Sequence, residues 1–253
     1  MKNRVLTFLM VIGMVGLLVG CSKLTKATLG TDNLKEENLK DEQVFKTDEG
    51  KDIVSFKVDV LDFDEEGQYK IVNDEIQKML AEKNAYYDGD FKTICEDSIQ
   101  YMPTDDIVFE AELKSELKYN SNGVVSIVFN NYQYAGGAHG STTYYTLNVD
   151  TNLQKVLTFD DVFVKGCEPE LKKLIIKGLE KLNKEYGGNL SYFDDYEDYL
   201  KEAFDSQYIY FTENGVTFIY NESLIAPYAA GPMFVEIPFK DLEEYMIYDH
   251  FKS

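Results

Sequence analysis

The hydrophobic pattern predicts an α+β fold in which antiparallel sheets pack against helices, and three observations carry that prediction. Residues 107–119 alternate as a half-buried strand does: Ile107, Phe109, Ala111, Leu113, Leu117 and Tyr119 point one way, and Glu110, Glu112, Lys114, Glu116 and Lys118 the other. Asn122-Gly123 follows, two residues that accept positive φ, so residues 124–134 should return as the hairpin partner. After Pro169 the period lengthens to that of a helix, with Leu171, Leu174, Ile175, Leu179, Leu182 and Tyr186 on one stripe before Gly187-Gly188 ends it. Strands grouped apart from helices and joined by hairpins indicate α+β.

The other elements follow in chain order. Lys2 and Arg4 precede an apolar run from Val5 to Val19, and Gly20 is the small residue before Cys21. Basic start, apolar stretch and small residue before cysteine form a bacterial lipoprotein signal, cut so that Cys21 becomes a diacylglyceryl-bearing N-terminus. The apolar run falls short of the roughly 20 residues that a membrane-spanning helix needs, whereas two acyl chains anchor durably. Residues 22–50 carry mixed charge and no apolar stripe, and read as a flexible tether. Phe56, Val58 and Val60 alternate as a strand; Ile71, Glu75, Ile76, Met79 and Leu80 recur at helical spacing over residues 70–82. Residues 142–149 are β-branched and aromatic, a third neighbour in the sheet. An acidic helix is expected over residues 194–204, a hairpin around Asn214-Gly215, and a last strand over residues 233–237. The expected organisation is a signal peptide (1–20), a lipid-anchored tether (21–50), and two interlocked α+β units (51–150 and 151–253).

Composition narrows the function classes. Of 253 residues, 45 are acidic and 25 basic, and Arg4 is the only arginine; loss of Lys2 and Arg4 with the leader moves the formal charge from −20 to −22. Phosphate contacts need cationic side chains in number, so nucleic acid is not an expected partner. Anionic lipid would repel this surface, which leaves anchoring to Cys21, while a cationic partner would be steered toward it. Cys95 and Cys167 remain; an oxidising exterior permits a disulfide between them, but nothing in the sequence brings them into bonding range.

Few residues carry a chemical signature. His139 and His250 are the only histidines and stand 111 residues apart, which excludes a two-histidine zinc motif at local spacing, and no metal or cofactor is expected. No Gly-x-Ser-x-Gly elbow is present. The stretch from Asp194 to Tyr199 lacks the EF-hand spacing and its glycine, and reads as a solvated helix face. The most unusual run is Tyr134-Ala135-Gly136-Gly137-Ala138-His139-Gly140. Its glycines imply positive φ or close approach of another group. His139 then either bonds the turn or contacts a ligand. Among 19 tyrosines and no tryptophan, Tyr132, Tyr134, Tyr144, Tyr145 and Tyr228 cluster around the unusual motifs. Amphipathic rings of this kind suit sugar stacking, protein interfaces and ordinary β cores alike.

The Tyr134 to Gly140 run, the strand ending Leu147-Asn148-Val149-Asp150, and Leu157-Thr158-Phe159-Asp160-Asp161-Val162-Phe163 together resemble a bacterial extracytoplasmic module. That module occurs in RsiV-type lysozyme-sensing anti-sigma factors and beside the catalytic domain of PdaC-type peptidoglycan deacetylases. Ala226-Pro227-Tyr228-Ala229-Ala230-Gly231-Pro232, leading to Val235-Glu236-Ile237-Pro238-Phe239, is similar to the same family's closing signature. The turn after the Thr-Tyr strand departs from the pattern, with Asp150-Thr151-Asn152 where a glycine is usual. The resemblance implies a PdaC-like first unit and an RsiV-like second unit, acting as a binding or sensing module rather than an enzyme. The cytoplasmic anti-sigma segment and the deacetylase's catalytic domain are not expected here. The expected protein is a lipoprotein on the outer face of the cytoplasmic membrane, binding peptidoglycan or a cationic lysozyme-like protein. Tyr134, His139, Tyr144 and Tyr228 are its candidate ligand contacts, and Gly136, Gly137, Gly140 and Gly231 its structural loop residues. The alternative is a carboxylate-dependent cell-wall glycan hydrolase, because such an enzyme needs only two acidic residues.

Overall fold

The computed structural model describes residues 38–101 and 109–247. Cys21, the signal peptide, the first part of the tether and His250 lie outside the described residues. Six strands form the larger sheet in sequential order: β1 (Leu39–Lys46), β2 (Asp52–Val60), β3 (Phe109–Ser121), β4 (Val124–Tyr134), β5 (Ser141–Asp150) and β6 (Lys155–Val156). Between β2 and β3 the chain crosses over through α1 (Lys70–Tyr86), a single π-helical turn at Tyr87–Phe91, and α2 (Lys92–Ile99). These helices bury one face of the sheet around Ile76, Phe56, Tyr87, Leu113 and Phe129. The bulged turn drives Tyr87 fully into that core, where its hydroxyl donates to Asn131 Oδ1 at 2.7 Å.

The second unit follows α3 (Phe159–Val162), which starts at a capping box between Thr158 and Asp161. Its long helix α4 (Glu168–Glu185) has Pro169 in the first turn and buries Leu171, Ile175 and Leu179. That stripe packs on a three-stranded antiparallel sheet of β7 (Ile209–Phe211), β8 (Gly215–Tyr220) and β9 (Met233–Pro238). Tyr119 and Val124 from the large sheet enter this same core, so the two units share their interior.

Several expectations need correction. The tether does not run to residue 50: Leu39–Lys46 pairs antiparallel with β2, from Leu39 opposite Val60 to Lys46 opposite Asp52. As a charged edge strand with only Leu39, Gln43 and Phe45 half-buried, it carries almost no apolar period to detect. Nor is the large sheet wholly antiparallel, since β2 and β3 run parallel. The helical crossover between them permits that arrangement. This sheet also continues past residue 150, through β6. The acidic helix is a single turn, α5 (Tyr196–Tyr199), followed by a 3-10 turn that buries Leu200 and Ala203. The disulfide is absent: Cys95 and Cys167 are both free thiols, one buried in each core. Burial pushes the Cys95 thiol up to about 12, which makes it unreactive.

Candidate functional site

The β4–β5 connection and the turn before β9 meet at one edge of the molecule. Gly136 and Gly137 hold φ of 95° and 91°, a region closed to most side chains, and they fold the connection back over the end of β4. Gly140 leaves room for the Tyr132 ring, which a Cβ there would overlap unless the ring moved. Tyr134 donates its hydroxyl to Gly137 O at 3.1 Å, which staples the loop to its own strand. From the second unit, a 3-10 turn at Tyr228–Ala230, closed by Gly231 at φ 71°, brings Tyr228 across. Its hydroxyl donates to Gly140 O at 2.9 Å. The His139 ring stacks on Tyr228 at 3.9 Å between centroids and 18° between planes, with Nδ1 also 3.1 Å from Gly140 O. His139 is exposed and Tyr228 is 40% exposed. Two rings 89 positions apart therefore stand fixed and open to solvent.

Of the sequence-predicted contacts, this junction gathers Tyr134, His139 and Tyr228. Tyr144 is placed elsewhere, in the seam between the two sheets. Its hydroxyl accepts from Asn130 Nδ2 at 3.1 Å, its ring meets Phe234 edge-on, and its backbone N–H and C=O are both bonded to the Asn221 side chain, at 2.7 and 3.0 Å. Tyr144 thus seals an otherwise open stretch of the β5 edge.

Beside the junction, the half of the large sheet not covered by the second unit presents its polar face. One cross-strand row runs from Glu42 through Lys57 and Glu112 to Tyr132. Ser55, Lys57, Glu110, Glu112 and Tyr132 line a shallow depression of about 110 Å³ there. Burial raises the Tyr132 hydroxyl above the ordinary tyrosine range, helped by the Glu110 carboxylate and by Tyr134 and Tyr228 nearby. Glu42, Glu110 and Glu116 are exposed on this face. Alternation alone puts Glu110 and Glu112 on the wet side of their strand, but the register that sets Glu112 opposite Tyr132 is a tertiary fact. Among the described residues, no cluster of metal-ligating side chains and no helix long and apolar enough to cross a membrane occurs.

Comparison with known proteins finds two separate matching stretches in the chain. Residues 47–142 match the family described as deacetylase PdaC, and residues 160–240 match a family of unknown function, DUF3298. The chain joins a PdaC-like module to a DUF3298-like module. The peptidoglycan-N-acetylmuramic acid deacetylase PdaC of Bacillus subtilis is 32% identical over 38% of this chain and 24% of its own length. The immunogenic protein MPT64 of Mycobacterium tuberculosis is 30% identical over 46% of this chain and 49% of its own. The chain therefore spans about half or less of these relatives. Crystal structures of DUF3298 proteins share the fold. The one from Bacteroides fragilis superposes with a TM-score of 0.61 at 18% identity, covering 85% of this chain and 94% of that one. The one from Pseudomonas aeruginosa gives 0.61 at 22% identity, covering 88% and 100%.

Proposed function

We propose that this protein is a non-catalytic, lipid-anchored component of the bacterial cell envelope that binds peptidoglycan through the junction of its two modules. The observation that carries the reading is the exposed His139–Tyr228 stack, pinned to the Gly140 carbonyl at the end of an open, carboxylate-bearing sheet face. A flat aromatic surface offers stacking area to a sugar ring, and fixing it beforehand removes ordering cost from binding. Exposed Glu110 and half-buried Glu112 supply hydrogen-bond acceptors beside it. The similarity of residues 47–142 to the PdaC family supports an envelope setting.

The same acidic face, on a chain of formal charge −20, favours a second ligand class: a cationic wall-acting protein of the lysozyme kind. Asp161 gives the hydrolase alternative no support: slight burial raises its titration point, but Lys155 and Thr158 more than offset that and hold it below its ordinary value. A general acid needs the opposite shift.

Co-sedimentation with insoluble peptidoglycan, run beside a lysozyme titration, tests the reading. The wild-type protein should sediment with the wall, and Tyr228→Ala or His139→Ala should weaken that binding about tenfold, equivalent to about 1.4 kcal/mol. Unchanged binding by both variants, at unchanged melting temperature, overturns the assignment of the junction. Lysozyme affinity without wall affinity transfers the same surface to the protein ligand. Release of reducing ends from the wall, abolished by a single Asp or Glu substitution, would establish the hydrolase. For the anchor, metabolic labelling with a palmitate analogue should mark the wild-type protein and not Cys21→Ala; equal labelling of the two refutes lipidation.

A further inference from the structure

On the opposite face of the large sheet a cleft of about 480 Å³ opens between α1 and the β5 edge, and the Ser206–Tyr208 turn of the second module closes one end. That volume lies within the range of small-molecule pockets, about 300–1,000 Å³. Tyr145 rises from β5 to form its floor, stacked on Phe129 at 5.3 Å and 15°. Lys83 of α1 lies over the Tyr145 ring, with Nζ 5.0 Å from the centroid. The cleft's other cation, Lys78, is paired with Glu75 at 3.5 Å. Lys83 makes no ion pair among the described residues, although the chain carries 45 acidic side chains. Burial lowers its ordinary titration point and Glu82 only partly opposes this, so the ammonium is held at a desolvation cost that a bound anion would offset. Glu82 also lines the cleft beside Lys83, and the rest of the wall offers Thr143, Gln207 and Tyr208, uncharged hydrogen-bonding groups suited to hydroxyls and amides.

We propose that this cleft is a second binding site, for a small carboxylate-bearing saccharide whose carboxylate meets Lys83 while its ring lies in the tyrosine-walled space. The choice of sugar rests on the envelope reading above; the cation, the ring and the polar wall do not.

Calorimetric titration of the folded protein with N-acetylmuramic acid, and with N-acetylglucosamine as the neutral control, tests it. The acid should bind at least about tenfold more tightly than the neutral sugar, a difference of about 1.4 kcal/mol. Lys83→Met should abolish that preference and Lys83→Arg should retain it. Tyr228→Ala should leave it unchanged, so failure of the loop junction as a wall-binding site and failure of the cleft are read separately. If Lys83 only clamps Tyr145, Lys83→Met will lower the melting temperature without altering discrimination between the sugars, and the proposal falls. It falls equally if the wild-type protein binds neither sugar, or both alike.

Discussion

Asn148→Ala should cost about 3 kcal/mol of stability, because it opens the buried polar seam between the two modules and leaves its partners without a bond. Asn148 is 2% exposed and Ser126 fully buried. The amide of Asn148 donates to Ile209 O at 2.8 Å and to Ser206 O at 3.2 Å, while its Oδ1 accepts from Ser126 Oγ at 2.5 Å. Ser126 Oγ in turn accepts from Phe211 N at 3.0 Å. Thr146 Oγ1 also reaches both carbonyls, at 2.8 and 2.6 Å, but a single hydroxyl proton can serve only one of them. Removing the amide therefore orphans one buried carbonyl and one buried hydroxyl, each worth about 1–3 kcal/mol. Thr146→Val on its own should cost less, and the pair should be non-additive because the two side chains share acceptors. Equilibrium denaturation measures both; a loss below about 1 kcal/mol for Asn148→Ala would show that the seam is wet or adaptable. The functional consequence is positional. These bonds hold the start of β7 on β5, and the contact between Tyr228 and Gly140 depends on the same docking.

The residues that were legible in the sequence are those whose local chemistry decides their conformation. Asn122 and Gly123 have φ of 54° and 79°, as a two-residue hairpin demands, and β4 begins at the next residue. The α4 stripe and its Gly187-Gly188 stop are equally local, with φ of 71° and 76° at the glycines. What escaped was tertiary. β1 has too few apolar residues to announce itself, and its identity depends on β2 lying beside it. Asn148, Thr146 and Ser126 are polar and carry no signal of burial in the sequence, yet the second module lands on them and buries them. The site divides in the same way. The glycine loop marked itself, but the stacking of His139 on Tyr228 joins segments 89 positions apart, and no spacing rule reaches that far. Tyr144 belonged to the same sequence cluster as these rings, and one strand's register sends it to the seam instead.

Gly215→Ala should be at least as damaging, about 3 kcal/mol or more, for a reason unlike the one its sequence context suggests. Asn214-Gly215 looks like a hairpin turn that needs positive φ, but Gly215 is not among the residues with positive φ. The turn is made by Thr212, whose N–H donates to Gly215 O at 3.0 Å and whose Oγ1 accepts from the N–H groups of Asn214 and Gly215 at 3.1 Å each. Gly215 is instead the first residue of β8, opposite Pro238, and a Cβ there would run into the Ile237 carbonyl and the Pro238 Cα. Those are backbone atoms of a paired strand, so relief requires β8 and β9 to part. That movement would withdraw Val235 and Ile237 from the core they share with α4. Gly137→Ala supplies the contrast. Its φ of 91° makes any side chain strained, but nothing lies within 4 Å of the added carbon. Backbone strain alone should then cost about 1–2 kcal/mol. Chemical denaturation should place Gly215→Ala well below Gly137→Ala; the reverse order would mean that β9 yields more readily than its pairing implies. Wall binding should rank them the other way once each protein is compared in its folded fraction, because Gly137 shapes the loop that carries His139 whereas Gly215 acts only through the small sheet.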